Sequence, residues 1–264
     1  MLTHAAAPRP GRSPKPMNGW KLERLRMTRT PRAIALAGTY LFFGLLGPVT
    51  AKSLQDIVNR FGSGVQVIIA HPTPQDGITN YISQISQTGL IVVIVIAAGA
   101  LTFDARRGLS TFLRTRTTSM WQLIAPRFTV NAAAAVTAYT LGTLAAWYET
   151  ALLLGSPPAG AMLAGLLCGS VYLIFAVSVT SAAASIARSA LATIGLTLGA
   201  LLALPLLGMI GPIHAWLPST LVTAPIGLLG SSALSDYLPA IATATTATAL
   251  LLTAATLQLK HRDV

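Results

Sequence analysis

The sequence predicts an all-α membrane protein of six transmembrane helices with both termini in the cytoplasm. Three observations lead there. Of 264 residues, 53% are hydrophobic and only 9% are charged, against about a quarter charged in a soluble domain. Such a chain cannot cover a globular surface with polar groups and needs the bilayer as its solvent. The apolar residues fall in runs of about 20, which at ~1.5 Å rise per residue match one hydrocarbon thickness. The basic residues fall between those runs, almost all on alternate connections.

Residues 1–19 are rich in Pro, Arg and Ala and read as a disordered tail. They lack the apolar run of a signal peptide. In residues 20–31, Trp20, Leu22, Leu25 and Met27 alternate with basic residues. At helical spacing this gives an apolar strip beside a cationic face, an interfacial amphipathic helix. Pro31 then turns the chain into the six-span domain, residues 32–264.

The first span is read at about 33–51, bracketed by Arg32 and Lys52. A polar external loop over 53–80 follows, with a short helix near Leu54–Phe61. The second span, 82–103, has the apolar centre Leu90–Ile96, whose β-branched residues would suit a strand; the length of the whole segment decides for a helix. The third is 128–154, followed by the short turn Ser156-Pro157-Pro158. The fourth is 161–182. The fifth, 191–210, contains Pro205 as a kink. Residues 211–236 mix Pro212, His214, Trp216 and Pro218 with the apolar patch Ile226–Leu229, and read as a segment that dips into the outer leaflet without crossing. The sixth span is 237–257.

Orientation follows from Lys and Arg. The N-terminal segment holds 8, residues 104–127 hold 5, the connection at Arg188 holds 1 and the C-terminus 2, so only Lys52 and Arg60 of the 18 lie on the other side. The positive-inside rule places the rich side in the cytoplasm. The net charge of +11 is thus explained by membrane topology rather than by nucleic-acid binding.

No phosphate-binding Gly-x-x-x-x-Gly-Lys loop and no His-Glu-x-x-His motif is present, and His4, His71, His214 and His261 form no ligand spacing. The chain reads as a non-enzyme without a metal or cofactor of its own. Cys168 is the single cysteine, a small packing residue. Glu149 lies 22 residues beyond Arg127, roughly 33 Å along a helix, beside Trp147 and Tyr148. It reads either as an interfacial acid in an aromatic belt or as a polar group lining the outer exit of a substrate path. The spans otherwise lack the acidic chain of a proton-coupled carrier. Gly165–Gly169 and Gly195–Gly199 are small-x-x-x-small pairs that allow close helix packing. In 104–127, Phe112, Leu113, Met120, Trp121, Leu123 and Ile124 sit between arginines. A helix there is amphipathic and serves as a lipid anchor or as a docking surface for a cytosolic partner.

This arrangement resembles the permease subunit of type-2 ATP-binding-cassette exporters, small six-span permeases paired with a separate ATPase. The likeness rests on the amphipathic N-terminal helix, the long loop after the first span, and a second span approached through Thr73-Pro74, Tyr81 and Gln84. Asp104, Gly108, Leu113, Ser119 and Arg127 stand for the family's Glu-x-x-x-Gly-Thr and Leu-Leu-x-x-Pro-Val-Ser-Arg motifs and the Lys that opens the third span. Leu109, Thr117 and Met120 depart from the expected Thr, Pro and Arg. Lys260–Asp263 resembles the family's basic-acidic end. The resemblance implies that residues 104–127 form a cytoplasmic coupling helix for the ATPase. Asp104, Arg106, Arg107, Gly108, Arg114 and Arg116 would meet that partner or lipid phosphates, with Phe112 or Trp121 as the apolar plug. It further implies a second permease chain, a homodimer or a paralogous pair, and ATP and Mg²⁺ bound by the ATPase. The setting implied is a bacterial plasma membrane, and the substrates a drug, a peptide antibiotic or a lipid. A non-transporting scaffold or immunity protein and an ion-coupled carrier are the other classes this composition admits.

The topology is testable by labelling intact cells with impermeant thiol reagents in a background with Cys168 replaced. Ser63→Cys is expected to react and Ser110→Cys to resist; the opposite pattern would invert the orientation.

Overall fold

The chain is described by a computed structural model over residues 19–61, 72–102, 121–187 and 189–261. All regular structure among these residues is helical, and six helices are long and apolar enough to cross a membrane.

Helix α1 (Gly19–Arg29) is short, about 16 Å long. It stops where Pro31 restricts its predecessor, and the Thr30 hydroxyl donates to the Arg26 carbonyl at 2.7 Å, satisfying a group the helix end leaves open. Trp20, Leu22 and Leu25 are exposed, whereas Glu23 and Met27 form the buried face. Helix α2 (Pro31–Phe61) starts with Pro at its first position, where the missing N–H costs nothing. It runs unbroken through the first span and the segment expected as a separate short helix.

The second span begins eight residues before the position read from hydropathy, and its helix stops at Leu101. Helix α3 (Pro74–Gln84) is started by Asp76, whose carboxylate accepts from the Thr73 N–H and hydroxyl, both at 2.7 Å; an acid in the first turn also suits the helix dipole. A π-helical turn, Ile85–Gly89, joins it to α4 (Leu90–Leu101). Helix α5 (Trp121–Leu153) carries the third span and begins before its hydrophobic part. Helix α6 (Ala159–Ile186) is the fourth, and α7 (Ala190–Leu207) the fifth, started by Ser189, whose hydroxyl accepts from the Ala192 N–H. Pro205 lies in the last turn of α7. A 3₁₀ turn (Gly211–Trp216), the ten-residue α8 (Thr220–Leu229) and a second 3₁₀ turn (Leu234–Tyr237) lead to α9 (Leu238–His261). Helix α8 is about 15 Å long, half a hydrocarbon core, and so too short to cross.

Helix α6 is the axis, packing against α4, α5, α7, α8 and α9. One core gathers α2 to α6 around Tyr40, Tyr81 and Tyr139; a second joins α4 and α6 to α7, α8 and α9. Without a hydrophobic force between helices in lipid, close packing must come from small residues, and it does. A Cβ on Gly142 would lie 2.6 Å from the Tyr40 carbonyl oxygen, one on Gly47 2.8 Å from the Tyr81 nitrogen, and one on Gly165 2.9 Å from the Pro225 Cα. Gly169 faces the Tyr139 ring, so the Gly165–Gly169 pair serves packing within the chain. Gly195 and Gly199 face nothing within 4 Å, and α7 is the least buried of the long helices.

These contacts separate the glycines by experiment. Gly142→Val is expected to lower stability by about 1–3 kcal/mol through overpacking, read from denaturant or thermal unfolding in detergent. Gly195→Ala is expected to leave it unchanged or slightly raised.

Candidate functional site

Among the described residues, polar side chains from several elements converge at the base of α5 and at a cleft beside the π-helical turn.

At the base of α5, Glu23 of α1 and Arg127 are 5% and 6% exposed. The Arg127 Nε donates to Glu23 Oε1 at 3.1 Å, and Arg26 Nη1 stands 3.8 Å from the same oxygen. One turn on, the buried Asn131 amide donates to the Arg127 carbonyl at 2.8 Å. Glycine 19 packs over Pro126, 3.6 Å from its Cγ when a Cβ is built on it. Helix α1 is therefore fixed to the start of the third span by a buried ion pair. Hydropathy does not reveal this, since both residues fall outside the apolar runs. One signal was present: Glu23 is the only acid before Asp56, in a segment with eight Lys and Arg. Trp121, the first residue of α5, is 48% exposed, so its ring is open to lipid or a partner. Asp104, Arg106, Arg107, Gly108, Phe112, Arg114 and Arg116 lie outside the described residues. Glu149 sits partly buried near the far end of α5 and makes no ion pair among the described residues. It is thus some 33 Å from the Arg127 end by helical rise, and the two do not form one site.

The cleft has a volume of about 350 Å³ and lies between the π-helical turn, α6, α7 and α8. Its apolar wall is Leu90, Leu198, Leu201, Leu202, Pro205 and Val222; its polar groups are Ser86, Tyr172, His214, Ser219, Thr220 and Thr223. A void of about 30 Å³ adjoins it, sharing Ser86, Leu90, Tyr172 and Val222 and reaching Tyr40 and Tyr139. Ser86 and Tyr172 stand near the midpoints of the second and fourth spans. The π-helical turn interrupts an otherwise α-helical span, a distortion that recurs at functional sites. It is accommodated because Gly89 leaves room for the Tyr40 ring; a Cβ there would meet Tyr40 Cζ at 3.0 Å. Sequence reading placed His214 among scattered loop histidines and gave Ser86 and Tyr172 no role. Their convergence needs the packing of four elements that are distant in the chain. The polar run Ser86-Gln87-Thr88 before Leu90 was the available hint.

No family model, no curated protein and no solved structure matches the chain.

Removing the charge of Glu23 takes away one charge-assisted hydrogen bond, worth about 1.5–3 kcal/mol. Glu23→Gln is expected to lose at least about 1.5 kcal/mol of unfolding free energy, whereas Glu149→Gln stays within about 0.5 kcal/mol. Equal effects would remove the distinction drawn between the two acids.

Proposed function

We propose that the chain is the transmembrane permease subunit of an ATP-driven exporter of the ATP-binding-cassette class, working as a dimer with a separate cytosolic ATPase in a bacterial plasma membrane. The observation that carries this reading is the attachment of α1 to the base of α5 by Glu23 and Arg127. That base continues in the chain from the arginine-rich stretch 104–120. A force applied to this stretch by a cytosolic partner would act on α5, a helix about 50 Å long, and on α1 together with it. A pair held in an apolar setting has few alternative geometries, so it suits a rigid transmission element.

In this proposal the ATPase holds ATP and Mg²⁺ and closes on nucleotide binding. Arg106, Arg107, Arg114 and Arg116 meet its acidic groups or lipid phosphates, Asp104 and Gly108 belong to the same coupling stretch, and Phe112 or Trp121 is the apolar plug. Closure switches the bundle from inward to outward access, with Glu149 at the outer exit. The substrates are drugs, peptide antibiotics or lipids. The six apolar helices and the positive-inside count support the topology this scheme needs.

The test is association with the cognate ATPase. With Arg106→Glu, Arg107→Glu, Arg114→Glu and Arg116→Glu combined, co-purification and permease-dependent ATP hydrolysis are expected to be lost while the thermal midpoint of the permease is kept. Retained association and hydrolysis in that variant would remove the coupling role of the stretch.

A further inference from the structure

We infer that the cleft between the π-helical turn, α6, α7 and α8 is a binding site for one uncharged amphipathic small molecule, an apolar body bearing hydroxyl or amide groups. As an account of substrate it deepens the exporter reading and rests on it; as a binding site it does not.

Size comes first. About 350 Å³ falls at the small end of the roughly 300–1,000 Å³ range of small-molecule sites. It holds a single compact molecule inside, and of a peptide antibiotic or a two-chain phospholipid it could take only one part. Charge comes second. Among the described residues no Asp, Glu, Lys or Arg lines the cleft, and its one imidazole, His214, is exposed. An ionised group among the leucines and backbone-bonded hydroxyls would lose its hydration without a charge beside it, so a neutral ligand fits the lining best.

Hydrogen-bonding capacity is the third argument. Ser86 donates its hydroxyl to the Ser83 carbonyl at 2.9 Å, Thr220 to Leu217 at 2.9 Å and Thr223 to Thr220 at 3.2 Å. Their protons are committed to the backbone, so what they offer the cleft is oxygen lone pairs. These call for O–H or N–H donors on the ligand. Tyr172 is only 7% exposed as a whole residue and lines both the cleft and the adjoining void, while its hydroxyl oxygen keeps accessible surface and makes no hydrogen bond among the described residues. It therefore offers the cleft an O–H donor and an acceptor that a ligand can use. Leucines opposite supply the apolar contact.

The test uses the full-length chain in phosphatidylcholine nanodiscs and three probes. A monoacylglycerol with a chain diazirine represents a neutral membrane lipid, Nile red an uncharged exogenous compound, and a diazirine fatty acid at pH 9 the anionic control. At least one neutral probe is expected to bind saturably. For the diazirine lipid, peptide mapping would place crosslinks on 198–223; for Nile red, monoglyceride competition would report the same site. Thr223→Trp, at an exposed position of the cleft, is expected to weaken that binding tenfold or more, and Thr223→Ser to leave it within twofold, both with an unchanged thermal midpoint. If Thr223→Trp lowers that midpoint, Leu202→Trp replaces it with the same expectation. The neutral probe that saturates identifies the source. The inference is overturned if neither neutral probe saturates, if the filling variant binds as the parent does, or if the anionic probe saturates equally at 198–223. Saturable binding without ATPase association would keep the site and remove the exporter reading; ATPase association without a saturable site would do the reverse.

Discussion

The ion pair between Glu23 and Arg127 is the constraint on which the lower half of this bundle depends. Both side chains are almost completely buried, and each would cost several kcal/mol if left alone out of water. Each therefore dictates where the other must be. Helix α1 is too short to span, and three of its apolar residues face outward; Gly19 against Pro126 and the buried Met27 are its apolar contacts with the bundle. The carboxylate sets its position and rotation, because Glu23 must meet the guanidinium that projects from the first turns of α5. The turn at Thr30-Pro31 and the starting direction of α2 follow from that placement. Arg26 beside the same carboxylate adds weaker attraction from a more exposed position, where screening by solvent reduces its worth.

Above this base the structure is held by close approach rather than by charge. Gly44, Gly47 and Gly142 bring α2 against α3 and α5, and the tyrosines fill the space that the glycines leave. Tyr40 and Tyr139 meet edge to face with ring centroids 6.2 Å apart, while the Tyr81 hydroxyl shares a hydrogen bond with Thr143 at 3.2 Å. Such a hydroxyl is expensive to bury without a partner, so these pairs fix register as well as adding stability. The other side of the bundle is looser in composition. Helix α7 packs on α4 and α6 and leaves most of its leucines outward, and the cleft opens where its end meets α8. The division places a closely packed half, with α1 and α5, beside a half that contains a small-molecule-sized space.

Most of the fold was legible in the sequence because the bilayer imposes a length and a polarity that hydropathy reads directly. The span positions from residue 33 to 257 follow from apolar runs, whereas the apolar patch read at Ile226–Leu229 covers only the second half of the helix found at Thr220–Leu229. The ends were less legible. Helices begin and stop according to caps and tertiary contacts: Asp76 starts α3 well before the apolar run, and α2 carries on past Lys52 without a break into the stretch read as a separate short helix. The candidate sites were the least legible. Glu23 and Arg127 are 104 residues apart, and nothing in the composition of either segment specifies the pairing. Ser86, Tyr172 and His214 come from separate elements, and their meeting depends on a π-helical turn that no propensity scale anticipates. Helix periodicity assigns faces to single elements; it does not say which faces converge.

The claim that α1 is locked to α5 by this pair is tested most directly by amide hydrogen exchange in the Arg127→Met variant of the full-length chain. Residues 19–29 are expected to lose at least tenfold of their protection, while the amides of α6 keep theirs, because only the element held by the pair is released. Unchanged protection over 19–29, or an equal loss throughout the bundle, would contradict it.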